Sequence, residues 1–200
     1  MIGLCRILFL YRSIDFISKT LPLWAAGLFL YIPLILLLIT RKRPEQWGIT
    51  FKGFFPSLGT ALLLSLLCLP AFLILYHYYQ LYWLHFPGRI KFPQDWMLLF
   101  LYHLVCVALP EEVFYRGYMQ SRLNEVFPKG VNFLSARLGV GWLYTAVLFA
   151  LGHYLIDFRI NTLATFFPGL VFGWLRERTG NVVASTLFHA LCNGTVLLVS

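Results

Sequence analysis

Charged side chains are scarce in this sequence, and acidic ones are the scarcest. Only 12% of the 200 residues are Asp, Glu, Lys or Arg, only 8 residues are acidic, and 60% are hydrophobic. An ordinary soluble domain is about 25% charged and about 45–50% apolar. So few charges cannot cover the surface of a water-soluble particle of this size. The sequence therefore excludes a soluble globular protein and predicts an integral membrane protein.

Several patterns that would define other protein classes are also missing. The four cysteines lie far apart with no CxxC pair, which argues against a disulfide framework or a zinc knuckle. The sequence has no HExxH motif, no internal repeat and no soluble linker, so we expect one domain over residues 1–200. The N-terminal apolar stretch contains Arg6 and Arg12 and no small-residue cleavage site, unlike a removable signal peptide.

The net charge of +8 does not indicate a nucleic-acid partner. The basic residues lie between apolar runs and form no stripe with interleaved aromatic residues. Basic and aromatic residues in such positions are typical of the membrane surface, where they contact anionic headgroups and the interface. We therefore expect the lipid bilayer as the partner of these charges.

Six apolar runs predict an all-α, polytopic transmembrane bundle with about six spanning helices, each needing about 20 residues. Residues 1–20 are apolar but interrupted by charges, which predicts an interfacial amphipathic helix. The predicted spans are Leu21–Thr40, Pro56 or Ser57 to Tyr79, Trp96–Leu109 continuing into a charged stretch, Gly141–Ile156, Thr162–Leu175 and Asn181–Val199. The fourth and fifth are short for a full crossing.

Basic residues alternate between loops as the positive-inside rule requires. The loops after the first, third and fifth spans carry them and are predicted to be cytoplasmic. Their residues are Arg41, Lys42, Arg43 and Lys52, then Arg116, Arg122, Lys129 and Arg137, then Arg176 and Arg178. The basic N-terminus does not fit this orientation unless residues 1–20 are buried or re-entrant.

Ionisable residues within or beside the apolar runs are the candidate functional residues, since a charge in the bilayer centre costs roughly 3 kcal/mol or more. At 1.5 Å per residue, Glu111 lies about 22 Å from the outer start of its helix. Counted from the cytoplasmic start of their helices, His153 lies about 18 Å and His189 about 12 Å into the membrane. These three can therefore share one layer of the membrane. Asn193 follows His189 by one turn, so both present on one face.

The spacing suggests a division of roles between the two adjacent carboxylates. Glu112 and Arg116 are four residues apart and are predicted to form an ion pair along the helix, with a structural role as an alternative to any catalytic one. Glu111 is turned about 100° away and is free to act as a general base on water. His153 can orient that water, although a lone histidine is often bonded to a carbonyl.

The third pair of polar residues offers hydrogen-bond donors. His189 and Asn193 can stabilise the oxyanion of a tetrahedral intermediate, although such residues also join helices in membranes. With Glu111 as the base, the pattern indicates hydrolysis of an amide or ester bond inside a membrane cavity. His103 lies two turns before Glu111 on a similar face, so it could line the same cavity.

The ordered motifs Glu111-Glu112-x-x-x-Arg116, Phe149-x-x-x-His153 and His189-x-x-x-Asn193 resemble the signature of the CPBP family, over residues 96–200. These are intramembrane glutamic-type proteases that include the type II CAAX prenyl endopeptidases. The resemblance implies Glu111 as the catalytic base with His153 as its partner, His189 and Asn193 at the oxyanion, and Glu112 with Arg116 in support.

The resemblance also raises a cofactor question, because the family was long described as metal-dependent. Glu111, His153 and His189 could supply a zinc site with an open water position. In the absence of an HExxH helix, we favour chemistry without a cofactor.

The predicted function is an endopeptidase that cuts near the C-terminus of a membrane-anchored or lipidated protein or peptide. Its substrate could be a prenylated CAAX protein, a bacterial sorting signal or a bacteriocin-type peptide, and the short chain favours a bacterial inner-membrane enzyme. A non-proteolytic scaffold or immunity protein that binds a peptide in the same cavity is the alternative. A proton-coupled transporter would require two related halves with broken helices, and the sequence shows no such repeat.

Overall fold

The structure, a computed structural model, describes residues 15–82, 85 and 92–199. This part of the chain forms six helices and one short hairpin. The helices are α1 (Asp15–Thr40), α2 (Phe54–Tyr82), α3 (Trp96–Val126), α4 (Val140–Asp157), α5 (Phe166–Thr179) and α6 (Val183–Val199). Single 3₁₀ turns cover Pro44–Trp47 and Ile160–Thr165, and the strands are β1 (Gly130–Phe133) and β2 (Ala136–Gly139).

The predicted all-α membrane bundle is confirmed. Helices α1, α2 and α3 are long and apolar enough to cross a membrane by length and composition, whereas α4 and α6 are shorter apolar helices. Helix α5 has 14 residues. The separate interfacial helix predicted for residues 1–20 is wrong over residues 15–20, which belong to α1. The remainder of that prediction lies outside the described residues.

Helix α3 is longer and less regular than predicted. It contains two π-helical segments, His103–Ala108 and Val113–Gln120, separated by the α-helical turn Leu109–Glu112. Pro110 has no N–H to donate to the preceding turn, which gives a local cause for the first π segment. The positive-inside count assigned Arg116 to a cytoplasmic loop. This assignment is wrong, because the helix continues past Glu112 and the side chain of Arg116 is fully buried.

The loop predicted between Arg122 and Arg137 is also wrong in part. It contains the last turn of α3 and the antiparallel hairpin β1–β2, in which Phe133 pairs with Ala136. The two-residue turn is Leu134-Ser135, with φ values of 45° and 61°. Such turns normally contain Asn-Gly or a similar pair that tolerates positive φ, so Leu134-Ser135 does not predict a hairpin.

Aromatic side chains form the centre of the bundle. Phe114 and Tyr115 of α3 pack with Phe149 of α4, Phe172 of α5 and Phe188 of α6 in one buried cluster. Helix α6 contacts α2, α5 and the first π segment of α3, while α1 covers the middle of α3. The polar residues of α3 therefore project into an interior enclosed by four other helices.

The loops predicted to be cytoplasmic lie at one end of this bundle. Lys42, after α1, forms an ion pair of 2.5 Å with Glu125 at the end of α3. Arg178, at the end of α5, donates a hydrogen bond of 2.8 Å to the carbonyl of Leu134 in the hairpin. The contacts place the three basic segments at the same end of the bundle.

Helices α3 and α5 run parallel and are joined by a regular series of hydrogen bonds. Each donor on α3 lies four residues after the previous one, and so does each acceptor on α5. The bonds run from Arg116 Nη2 to the Gly169 carbonyl (3.1 Å), from Gln120 Nε2 to the Gly173 carbonyl (3.0 Å) and from Asn124 Nδ2 to Glu177 Oε1 (2.9 Å). Small residues spaced in this way allow close helix approach inside membranes.

The close approach predicts that Gly173→Ala destabilises the protein. An added Cβ would lie 2.7 Å from Trp142 Cδ1 and 2.8 Å from Gln120 Oε1, closer than van der Waals contact allows. We expect a loss of about 1–3 kcal/mol, typical of overpacking, measured by thermal unfolding in detergent. Gly59→Ala on α2 is the matched control, because its Cβ meets no atom within 4 Å and alanine favours the helix. Equal melting temperatures for the two variants would contradict the tight α3–α5 contact.

Candidate active site

Glu112, Arg116 and His189 form one hydrogen-bonded unit inside the bundle. Glu112 and Arg116 have no exposed surface, and His189 is 4% exposed. Glu112 Oε1 accepts hydrogen bonds of 3.0 Å from Arg116 Nη1 and 3.0 Å from His189 Nδ1. The ion pair predicted from the four-residue spacing is therefore present, and α6 joins it through a histidine that the sequence did not connect to Glu112.

Aromatic rings and a glycine carbonyl complete the surroundings of Arg116. Its guanidinium carbon lies 4.3 Å from the ring centroid of Phe149 and 5.1 Å from that of Phe172. A Cβ on Gly169 would lie 3.4 Å from Arg116 Nη2 and 3.3 Å from the Phe149 ring, so glycine leaves room for this bond. Because a buried cation is tolerated only when it is paired and hydrogen-bonded, these contacts allow the charge in a membrane interior.

The same aromatic residues fix the ring of His189. Phe172 stacks on it with centroids 4.6 Å apart and an interplanar angle of 15°, and Phe149 contacts it edge-on at 5.9 Å. Nδ1 is held by Glu112, so Nε2 is directed towards the neighbouring carboxylate, 3.9 Å from Glu111 Oε2. The imidazole thus has one committed nitrogen and one that faces Glu111.

Glu112 is held by two donors on Oε1, whereas no described residue donates a hydrogen bond to Glu111. Its Oε2 is buried and accepts no hydrogen bond from any described residue. The residue lines a cavity of about 130 Å³ between α1 and α3, together with Ala25, Phe29 and Cys106. That volume suits a few water molecules. The 3.9 Å separation from His189 Nε2 is too long for a direct hydrogen bond.

His153 does not contact Glu111 among the described residues, although the sequence predicts the pairing. It is half-buried on α4, with Nδ1 3.0 Å from the carbonyl of Phe149 and its ring 4.5 Å from the ring of that residue. Phe149 also contacts His189 and Arg116. His153 therefore reaches the cluster only through Phe149, and its Nε2 is left for a partner.

Asn193 is placed as predicted, one helical turn beyond His189 on α6. It is half-buried, and its side-chain amide forms no hydrogen bond within the described part of the chain. A free amide beside a fixed imidazole is able to donate a hydrogen bond to a bound substrate. The structure thus brings Glu111, Glu112, Arg116 and His189 together, with Asn193 adjacent and His153 one ring away.

These residues do not form a three-ligand metal site. In residues 15–82, 85 and 92–199, no three His, Cys, Asp or Glu side chains are grouped as metal ligands. The set of Glu111, His153 and His189, considered for zinc from the sequence, is not assembled, because His153 makes no contact with the other two. These donors therefore do not fit a zinc ion, and the proposed mechanism does not use a metal.

A larger cavity, of about 910 Å³, lies elsewhere in the bundle. It opens between α2, the β1–β2 hairpin, α4 and α5, and is lined by apolar residues such as Leu64, Trp142 and Trp174. Lys129 is its one charged residue in the described chain, and none of the candidate site residues reaches it. Size alone does not identify the reactive site here.

Two supporting features of the site were not recognised in the sequence. Phe149 was noted only as a motif position, yet its ring contacts three site residues. Gly169 was not singled out, although Gly169-x-x-x-Gly173 is the small-residue spacing that marks a close helix contact. The signal was present for the glycines, whereas nothing in the sequence indicated which helix they face.

The fork of hydrogen bonds made by Arg116 predicts that lysine cannot replace it. A single ammonium group cannot bond Glu112 and the Gly169 carbonyl with the planar geometry of a guanidinium, nor stack on Phe149. We expect Arg116→Lys to lose on the order of 1–3 kcal/mol of stability in thermal unfolding. The control is Arg122→Lys, whose exposed ion pair with Glu125 should change stability by less than about 0.5 kcal/mol. A stable Arg116→Lys protein would show that the fork is dispensable.

Comparison with known proteins agrees with the residues assembled here. No curated protein and no solved structure matches the chain. The family model of Rce1-like proteins, described as type II CAAX prenyl endopeptidase Rce1-like, matches residues 93–195. The match spans more than half of the chain and contains all six candidate residues, so the resemblance stated from the motifs is confirmed. The chain therefore belongs to the Rce1-like type II CAAX prenyl endopeptidases and is an integral-membrane protease.

Proposed function

We propose that the protein cleaves a peptide bond near the C-terminus of a membrane-anchored or lipidated protein, using water activated by Glu111. The observation that carries this proposal is the state of Glu111. Its Oε2 has no hydrogen-bond partner among the described residues and faces the fixed ring of His189, and the residue lines a cavity that suits water. A carboxylate held for structure alone would have donors that fix it, as Glu112 has on Oε1.

In the first step the carboxylate of Glu111 accepts a proton from water. The water oxygen forms a bond to the scissile carbonyl carbon, and the C=O π electrons move to the carbonyl oxygen. The base and the water must be within hydrogen-bond reach, which the 130 Å³ cavity beside Glu111 provides. The product of this step is a tetrahedral intermediate with one negative oxygen.

His189 and Asn193 stabilise that oxygen. With Nδ1–H donated to Glu112, a neutral His189 has no proton on Nε2 and cannot donate there. The oxyanion role therefore requires a doubly protonated ring, with Glu112 at 3.0 Å and Glu111 at 3.9 Å as its carboxylate neighbours. Asn193 supplies a second, neutral donor from the next turn of α6.

His153 orients the attacking water from the α4 side when substrate is bound. The bond from Nδ1 to the Phe149 carbonyl leaves Nε2 available as an acceptor in the neutral ring. Catalytic hydrogen bonds are often formed only in the substrate complex, so the separation from Glu111 in the free protein agrees with this role. The supporting role belongs to Glu112 and Arg116, which fix His189.

The substrate class follows from the membrane position of the site. A peptide must reach a buried carboxylate between helices, so a lipid anchor or a transmembrane end would hold it at the bundle. The family name makes a prenylated CAAX sequence the first substrate to test. A bacterial sorting signal or a bacteriocin-type peptide would satisfy the same requirement, in a protein of the bacterial inner membrane.

Glu111→Gln is expected to abolish cleavage while preserving the fold. The amide keeps the size of the side chain but cannot accept a proton, so turnover should fall by about 10²–10⁴-fold. The first measurement is mass spectrometry of membrane proteins from cells with either form, in which a C-terminal truncation should disappear. A farnesylated CAAX peptide in liposomes is the second substrate. Glu45→Gln, on an exposed 3₁₀ turn, is the control. Full activity of Glu111→Gln would favour a non-proteolytic peptide-binding protein.

Asn193→Ala should lower kcat with little change in KM. An oxyanion donor acts on the charged intermediate and not on the bound peptide, and its removal typically costs about 10²–10³-fold in kcat. Initial rates over a range of peptide concentrations in liposomes separate the two parameters. Asn161→Ala, at an exposed position before α5, should match the wild type. A rise in KM alone would assign Asn193 to substrate binding.

A further inference from the structure

His103 is an ionisable residue of the interior that the mechanism above does not use. It begins the first π segment of α3 and is partly buried. Its Nδ1 is shielded from solvent and forms no hydrogen bond with any described residue. A buried ring nitrogen without a partner costs free energy in a stable protein, so its persistence calls for a functional reason.

The π segment places His103 on the same face of α3 as Glu111. At about 100° per residue, eight positions of a regular α-helix would leave the two residues about 80° apart. A π turn closes i→i+5 bonds and takes up one residue more than an α turn. Across the segment His103–Ala108, residues 103 and 111 are therefore oriented like two residues seven positions apart in an α-helix. Their directions around the helix axis differ by only about 20°.

Neighbouring contacts place His103 beside the reactive groups. Helix α6, which carries His189, packs against the π segment that begins at His103. Cys106 and Val107 of the same segment line the cavity at Glu111. These two contacts place the segment that begins at His103 beside α6 and the cavity at Glu111.

We propose that His103 is the catalytic acid that protonates the departing amine. The inference rests on the proposed function. After water attack, Glu111 carries the proton taken from water, and the intermediate must expel a nitrogen. The protonated ring of His103 gives its proton to that nitrogen as the C–N bond breaks and its electron pair moves to nitrogen, while the oxyanion re-forms the C=O bond. The products are a carboxylic acid and a neutral amine, and the proton on Glu111 returns to His103 through water.

The other residues of the site are poorly suited to this step. His189 Nδ1 is bonded to Glu112, and its Nε2–H is required at the oxyanion. Glu112 and Arg116 are fully buried and bonded to each other. An amine is a poor leaving group unless it is protonated, so an amide bond needs such an acid and an ester of an acidic alcohol does not.

The test compares one acyl peptide presented as an amide and as a 4-nitrophenyl ester in liposomes. His103→Gln should cleave the amide about 10²-fold more slowly than the wild type and the ester within about 3-fold of it. The ratio of amide to ester rates in one sample cancels any loss of folded protein. His77→Gln, an exposed histidine on α2, is the control and should leave both rates unchanged.

Two outcomes would overturn the role of His103. An equal fall in both rates would make it a structural residue, and an unchanged amide rate would remove it from the reaction. Glu111→Gln in the same assay separates this result from the proposed function, because loss of the base should slow both substrates. If Glu111→Gln is inactive while His103→Gln cleaves the amide normally, only the present inference fails.

Discussion

The buried charge of Arg116 is the constraint on which the remaining structure depends. A cation in a membrane interior costs several kcal/mol unless it is paired. Glu112 supplies the counter-charge, Gly169 a carbonyl at 3.1 Å, and Phe149 a ring face at 4.3 Å. Because these partners come from α3, α5 and α4, satisfying one guanidinium fixes the relative positions of three helices. His189 of α6 then joins through the same carboxylate oxygen.

Two adjacent glutamates obtain opposite properties from this arrangement. Residues next to each other on a helix point about 100° apart, so one faces the arginine and the other does not. Glu112 has no exposed surface and holds two donors on Oε1. Glu111 faces a small cavity with its Oε2 unbonded in the described chain. Glu112, held by its two donors, positions the imidazole of His189, and Glu111 is available for the proposed reaction. A single glutamate could not satisfy both requirements.

Local spacing and charge scarcity predicted much of the fold, and long-range contacts account for most of what was missed. The spans followed from uncharged runs, and the Glu112–Arg116 pair from a four-residue spacing within one helix. The hairpin was missed because Leu134-Ser135 lacks the residues that favour positive φ. The π segments were missed because apolar periodicity does not reveal an added residue in a turn. The bond between His189 and Glu112 joins positions 77 residues apart, a separation over which sequence patterns carry no signal.

The net charge of the cluster depends on how many protons its residues carry, and that net charge sets the cost of burying the cluster. Glu111, Glu112 and Arg116 sum to one negative charge when all are ionised, and a protonated His189 brings the sum to zero. Neutrality is the condition under which such a group is least costly away from water. The same proton on Nε2 is the one that an oxyanion requires, since Nδ1 is committed to Glu112. A proton on Nε2 therefore balances the charge of the cluster and also gives the tetrahedral intermediate a donor. In the proposed mechanism, transfer of a proton from water to Glu111 makes the cluster one unit more positive beside the new oxyanion, so the electrostatic balance of the site favours the intermediate.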